Sequence, residues 1–330
     1  MIIYMKKNSN VFLSVIGILL LVVAGVLVWA ILNRQWLEDW WRGKDYQPVG
    51  EMLQIRDSLG LTERGEFLFQ ASTPKLAESD EFNSICRTAE DEEIAVLGCY
   101  TDKNIYVYNI TSAELDGIKE LTTAHELLHA VWDRMSEEER DELATALRRV
   151  SDGADEHFQE ELMTYDESQR QEELFVRAGT EIMNVPTELE KIYAEVFKDQ
   201  DAVVAFYNKY IAVFRAMEAE MEALEGEMKS VGAEIETTSN DYERRMGQLN
   251  ADIVSFNACA DVAGCFKTND EFYARRGELL AQQEELNAMY DRINQLIDKY
   301  NELVSKYNAD VTKTNKLNQI MNSNSKPEDI

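Results

Sequence analysis

The stretch Thr123-Ala124-His125-Glu126-Leu127-Leu128-His129-Ala130 holds two of the three histidines in a chain of 330 residues. On an α-helix, His125 and His129 stand one turn apart on the same face. Imidazoles so placed can grip one Zn²⁺, while the glutamate between them points at a water on the ion. HExxH is therefore the spacing of a hydrolytic zinc site, against which stands a polar helix whose spacing is accidental. The flanks predict a mostly buried helix, because Leu115, Ile118, Leu121, Ala124, Leu128 and Val131 form one largely apolar face. Thr111 or Ser112 is placed to cap its start.

Upstream, β-rich runs at residues 94–100 and 104–110 flank Thr101-Asp102-Lys103, which reads as a hairpin turn and predicts a small antiparallel sheet. Residues 45–85 show no strong period and are expected as short helices or irregular cover. Downstream, Ser136-Glu137-Glu138-Glu139 is a capping box opening a helix through Leu143, Ala146, Leu147 and Val150. Two further helices are expected around residues 158–165 and 171–183, before Pro186 punctuates the chain.

From Tyr207 the pattern changes. Tyr207, Tyr210, Phe214, Met217, Met221, Leu224, Met228, Val231, Ile235 and Tyr242 recur at steps of mostly three and four, as a heptad seam does. A second seam reads Leu279, Leu286, Ile293, Tyr300 and Tyr307, with Tyr290, Ile297, Val304 and Val311 four residues on. Two such helices joined by the compact loop at residues 257–265 predict an antiparallel coiled-coil hairpin over residues 203–316, on the order of 70 Å long. The other reading is that each seam pairs with another chain. Residues 317–330 are expected as a flexible tail.

At the other end, residues 11–32 (VFLSVIGILLLVVAGVLVWAIL) are uncharged and long enough to cross a bilayer at about 1.5 Å per residue. Lys6 and Lys7 precede the run, and Trp29, Trp36, Trp40 and Trp41 sit where interfacial anchors belong. It outlasts a normal signal-peptide core and no small-x-small site follows, which favours an uncleaved transmembrane helix over a cleaved signal. Residues 1–10 would then form a cytoplasmic N-terminus, although basic residues nearly balance across the run. Cysteine pairing bears on orientation. Cys86 with Cys99 and Cys259 with Cys265 is the connectivity that closes two short loops. Disulfides place the body of the chain outside the cytoplasm.

A net charge of −29 repels nucleic acid and removes DNA and RNA from the expected partners. The acidity otherwise reads as a well-solvated surface, or as a site selective for basic substrates. Scarce glycine and proline, 15 and 4 residues, suit a predominantly helical protein.

Catalytic zinc takes three protein ligands and keeps one position for water. A third histidine six residues after His129 is excluded, since Met135 stands there. His157, the remaining histidine, or a downstream carboxylate must complete the set. The HExxH stretch, followed by Glu172-Glu173-Leu174-Phe175-Val176-Arg177-Ala178-Gly179-Thr180-Glu181, resembles the gluzincin zinc metallopeptidases, which pair HExxH with a helical glutamate. The resemblance covers residues 94–186. It implies a zincin-like α+β domain, here over residues 45–200, with Zn²⁺ held by His125, His129 and Glu173. Glu172 and His157 are the alternatives for the third place.

Members of that family often carry an Asp or Asn shortly after this glutamate to orient a histidine, but here Arg177 stands four residues on. Asp133 is the nearer candidate for that role, or else a solvated acid on a helix. By the same resemblance Glu126 is the general base and acid, taking a proton from the zinc-activated water and delivering it to the leaving amine. Tyr165 and His157 are candidates for an oxyanion donor, or else structural. The strand at residues 104–110 would form the cleft edge, where a peptide adds by main-chain hydrogen bonds.

The expectation is thus a mainly α, single-pass, extracytoplasmic zinc metallopeptidase acting on a peptide or protein substrate, its coiled coil available to a protein partner. The rivals are a non-catalytic, membrane-tethered coiled-coil adaptor on a zincin scaffold, and a zinc store or sensor.

Overall fold

The apolar run folds as part of α1 (Tyr4–Leu32), in which Ser14–Leu32 has a mean hydropathy of 3.1 and is long and apolar enough to cross a membrane. None of that stretch is buried against protein. The computed structural model describes residues 4–86 and 96–324, residues 4–13 as backbone only. Residues 1–3, Ile94 and Ala95 of the expected first strand, and residues 325–330 of the expected tail lie outside the described residues.

After α1 come α2 (Arg34–Gly43), α3 (Glu51–Ser58), α4 (Glu63–Ala71), β1 (Lys75–Ala77), α5 (Ser79–Cys86), β2 (Gly98–Thr101) and β3 (Asn104–Tyr108). They are followed by α6 (Ile118–Asp133), α7 (Glu137–Gly153), α8 (Glu156–Met163), α9 (Arg170–Glu181), α10 (Thr187–Val196), α11 (Gln200–Ala260) and α12 (Asn269–Met321). The chain divides into two units, Met1–Val213 with Asn318–Ile330, and Phe214–Leu317.

In the first unit the sheet has the order β1-β3-β2, with β1 parallel and β2 antiparallel to β3. It is therefore mixed, not antiparallel. The unexpected strand, β1, is three residues long, too short to show a period of two. Its pairing places β3 in the middle of the sheet, so the strand expected as a cleft edge has a partner on each side. The outer strand facing α6 is β2.

The core of this unit forms where α6 meets α9. Leu127, Leu128, Val131 and Trp132 of α6 pack in one buried cluster with Leu174, Phe175, Val176 and Ala178 of α9. Gly179 allows the close approach: a Cβ there would lie 2.4 Å from Leu128 Cδ1 and 2.8 Å from Tyr193 Cε1. Tyr193 of α10 donates its hydroxyl to the Phe175 carbonyl at 2.6 Å. Gln200 caps the far end of α9 by donating to the carbonyls of Gly179 and Ile182.

The start of α6 differs from the expectation. Ser112 donates to the Glu114 carboxylate and precedes a short 3₁₀ turn, Ala113–Leu115, and the helix begins after Gly117 at φ 93°. The Ser136 capping box on α7 is fully formed. Both cysteine pairs are bonded; Cys86–Cys99 ties α5 to β2, and Cys259–Cys265 closes the loop between α11 and α12. Residues 317–321 are the last turn of α12 and not a tail. Ser323 is fully buried, and its carbonyl accepts from Ser79 and Asn83 of α5.

In the second unit α11 and α12 pack on each other through two small clusters, Val231 with Leu296 and Leu303, and Leu249 with Leu279 and Leu286. Contacts between Glu225 and Tyr307, Glu234 and Arg292, and Arg245 and Glu285 run antiparallel. The inward row beside Leu279 and Leu286 lies three residues on, at Met289, Leu296 and Leu303, rather than four. Tyr290 and Ile297 are 54% and 41% exposed. Steps of three and four both fit a mean period of 3.5, and burying the leucines settles which row turns inward.

One polar contact joins α2 to the motif helix. Arg134, the residue capping α6, makes a two-pronged pair with Asp39 of α2 at 2.7 and 2.9 Å, the side chains 6% and 3% exposed. Asp39→Ala leaves that guanidinium buried without its counter-ion. It should lower unfolding free energy by about 3 kcal/mol, read by chemical denaturation of the detergent-solubilised protein. A loss below about 1 kcal/mol would show that the pair does not hold the two helices together.

Candidate metal centre

Helical periodicity puts His125 and His129 on one face of α6, and the α6–α9 packing brings Glu173, in the first turn of α9, opposite them. The Nε2 atoms of the two histidines are 3.3 Å apart. Glu173 Oε1 lies 3.4 Å from His129 Nε2, and its Oε2 lies 3.7 Å from His125 Nε2. Taking one donor atom from each residue, the three lie within 4.8 Å of one another, a group that could close on one ion, whose tetrahedral donors stand about 3.3 Å apart. Among the described residues this is the one group of three or more such side chains able to hold a metal ion.

The donor set also shows a need for a cation. Glu173 Oε2 is buried with no hydrogen-bond partner among the described residues, and an unpaired buried carboxylate oxygen is costly. Burial raises the Glu173 carboxyl pKa, and the charges of His129 and then Arg177 oppose it, though Arg177, one turn along α9, is bonded elsewhere. Its guanidinium is engaged by both carboxylate oxygens of Glu181, at 2.9 Å each, and by Glu161, and it lies over the Phe158 ring.

Glu172 takes a separate place. Its Oε1 is 2.7 Å from His129 Nδ1, which holds the ring and leaves Nε2 facing Glu173. Sequence reasoning weighed Glu172 only as a ligand; the signal for this role was its position beside Glu173, on the flank of the helix. Asp133, the expected orienting acid, touches no histidine and instead accepts from the Tyr100 hydroxyl at 3.1 Å. One turn beyond His129, it has rotated past the face that meets α9. His157 lies on α8, its side chain 72% exposed and paired with Glu161, away from the group. Tyr165 is half-buried, its hydroxyl pKa raised by burial and then by the nearby Glu173 charge.

Glu126 is buried beside the trio. Burial pushes its carboxyl up to about 7, the charges of Glu173 and Glu172 add to this, and His129 and the Tyr100 backbone N–H oppose it. That N–H comes from β2, which runs close over the carboxylate. A Cβ at Gly98 would sit 2.5 Å from Thr122 Cγ2 and 2.7 Å from Glu126 Oε1, so only glycine fits. Burial holds His125 well below the usual imidazole range, helped by His129 and Arg177. Burial also works against a charged His129, but the Glu172 bond and the charges of Glu126 and Glu173 outweigh it and lift that ring to about 9.

Comparison with protein-family models, curated proteins and solved structures finds no match to this chain.

Two outcomes follow from the geometry. Elemental analysis should find about one equivalent of bound metal lost in Glu173→Ala, whereas Glu172→Gln keeps the stoichiometry but weakens affinity about 10–100-fold. The second concerns pH. In the metal-free protein Glu126 titrates above its ordinary value of 4.5, near 7. The stability gained by keeping it protonated is full below about pH 4.5 and lost as pH rises through about 7, amounting to about 3 kcal/mol. Chelator-treated Glu126→Gln should therefore melt higher than the parent above about pH 7 and alike below about pH 4.5. Parallel melting curves across that range would mean that the buried carboxyl is not protonated.

Proposed function

We propose that this chain is a membrane-anchored, extracytoplasmic zinc-dependent peptidase of gluzincin type. The observation that carries the reading is the convergence of His125, His129 and Glu173, whose donor atoms, one from each, lie within 4.8 Å of one another, with Glu173 Oε2 orphaned and the buried Glu126 carboxyl beside them. A set of two imidazoles and one carboxylate, three donors that leave a fourth tetrahedral position to a water, suits catalytic zinc. Bound there, zinc would acidify a water towards a pKa of about 7 and polarise the scissile carbonyl.

The chain's own groups supply the rest. Glu126, buried beside the trio, is placed to take a proton and return it to the leaving amine. The Tyr100 amide steers that carboxylate, and Glu172 keeps His129 in the tautomer that presents Nε2. The outer strand β2, passing over Glu126, is the edge to which an extended peptide adds by main-chain bonds. Such a site reads backbone more than side chain. The two disulfides support an oxidising compartment, and Ser14–Leu32 supplies the anchor. We read α11 and α12 as a coiled-coil hairpin that presents or recruits a protein partner.

Glu126→Gln tests the assignment. Hydrolysis of an unfolded polypeptide by the purified protein should fall roughly 10²–10⁴-fold with metal content retained. An unchanged rate would leave a membrane-tethered scaffold in place of an enzyme.

A further inference from the structure

The metal centre and the end of the apolar span are built on one short scaffold. Two separate connections set the distance between them. Along α6, Arg134 stands five residues beyond His129, about 7.5 Å up the axis, and it is clamped on Asp39, seven residues after Leu32. Along the sheet, Gly98, whose backbone lies against Glu126, precedes Lys103 by five residues, at most about 17 Å. Lys103 pairs with Glu38 at 2.9 Å and lines the same surface recess as Ile31 and Leu32.

Nothing in this path is a loose tether. A single residue, Asn33, separates α1 from α2, and its backbone and side-chain N–H groups both donate to the Trp29 carbonyl. Arg42 of α2 donates to the carbonyls of Ala71, Asp102 and Lys103 and to Asn104 Oδ1, joining α2 to the β2–β3 turn. The outer face of α2 carries Trp40 and Trp41, both exposed, with Lys44 Nζ 3.5 Å from the Trp41 ring centroid, while the half-exposed Trp36 stacks on Phe67. Aromatic and cationic groups just past an apolar span are what the headgroup layer accommodates.

We propose that this geometry confines the centre to polypeptide within about 30 Å of the membrane surface, so that its substrates are juxtamembrane segments of membrane-anchored proteins. The proposal rests on the peptidase reading and on α1 as the anchor. A soluble protein would be cut only when its chain reaches that layer.

The test uses the full-length protein reconstituted with single-span test proteins in phosphatidylcholine–phosphatidylglycerol vesicles. An unfolded target segment either starts at the membrane or is raised on a rigid helix of about 30 residues, roughly 45 Å. The near target should be cut at least tenfold faster than the raised one. A flexible insertion of roughly twenty residues at Asn33 should erase that preference and leave the rate on a soluble unfolded protein unchanged. Equal cutting of both targets, with Glu126→Gln abolishing each, overturns the height restriction and leaves the peptidase standing. Failure to cut the near, raised or soluble target overturns the peptidase reading and the inference with it.

Discussion

The candidate centre depends on one electrostatic conflict. Three carboxylates, Glu126, Glu172 and Glu173, gather around two imidazoles, and burial penalises charge on Glu126 and Glu173. The chain resolves part of it internally. Glu172 is satisfied by His129, and the Glu126 carboxyl is pushed towards the protonated form. What remains is Glu173 Oε2, and the nearest guanidinium, that of Arg177, is committed to Glu161 and Glu181. A fold that needed only to neutralise Glu173 could have turned Arg177 towards it. Keeping that guanidinium elsewhere leaves Glu173 Oε2 available to a metal ion.

Such an arrangement persists only if the helices cannot move apart. The contact at Gly179 sets α9 close against α6, and the bonds from Tyr193 and Gln200 hold the C-terminal half of α9 in place. On the opposite side, β2 is fastened by the Cys86–Cys99 bond and lies over Glu126 at a glycine. The buried carboxyl is therefore enclosed by rigid elements above and below. That enclosure is also what desolvates it and shifts its proton affinity.

The helices around the centre were legible in the sequence because their signals are local: a periodic apolar face, the Ser136 capping box, and HExxH itself. His125, Glu126, His129 and Glu173 were all named from residues and resemblance, and the fold brings the four together. What stayed hidden depends on tertiary partners. β1 becomes a strand only by pairing with β3, and with it β3 becomes central and β2 the edge. The inward row of α12 was ambiguous because a period of 3.5 admits steps of three or four. Glu172 could not be told from Glu173 until the direction of α9 across His129 was known. Asp133 has the right chemistry on the wrong face.

The polarity of α2 is the feature least expected of a soluble domain. It buries Asp39 and exposes Trp36, Trp40 and Trp41, the reverse of a helix whose apolar side meets a core. In water alone such a face is a liability, since exposed apolar patches of that kind favour association. Beside a bilayer the same face is covered, and the buried salt bridge turned towards the domain becomes intelligible. Asp39 and Arg134 need no water when each is the other's partner, and the pair ties α2 to the last turn of the motif helix. On the reading proposed, anchoring and catalysis are then one design, because the residue that caps the zinc-binding helix is also the residue that grips the anchor.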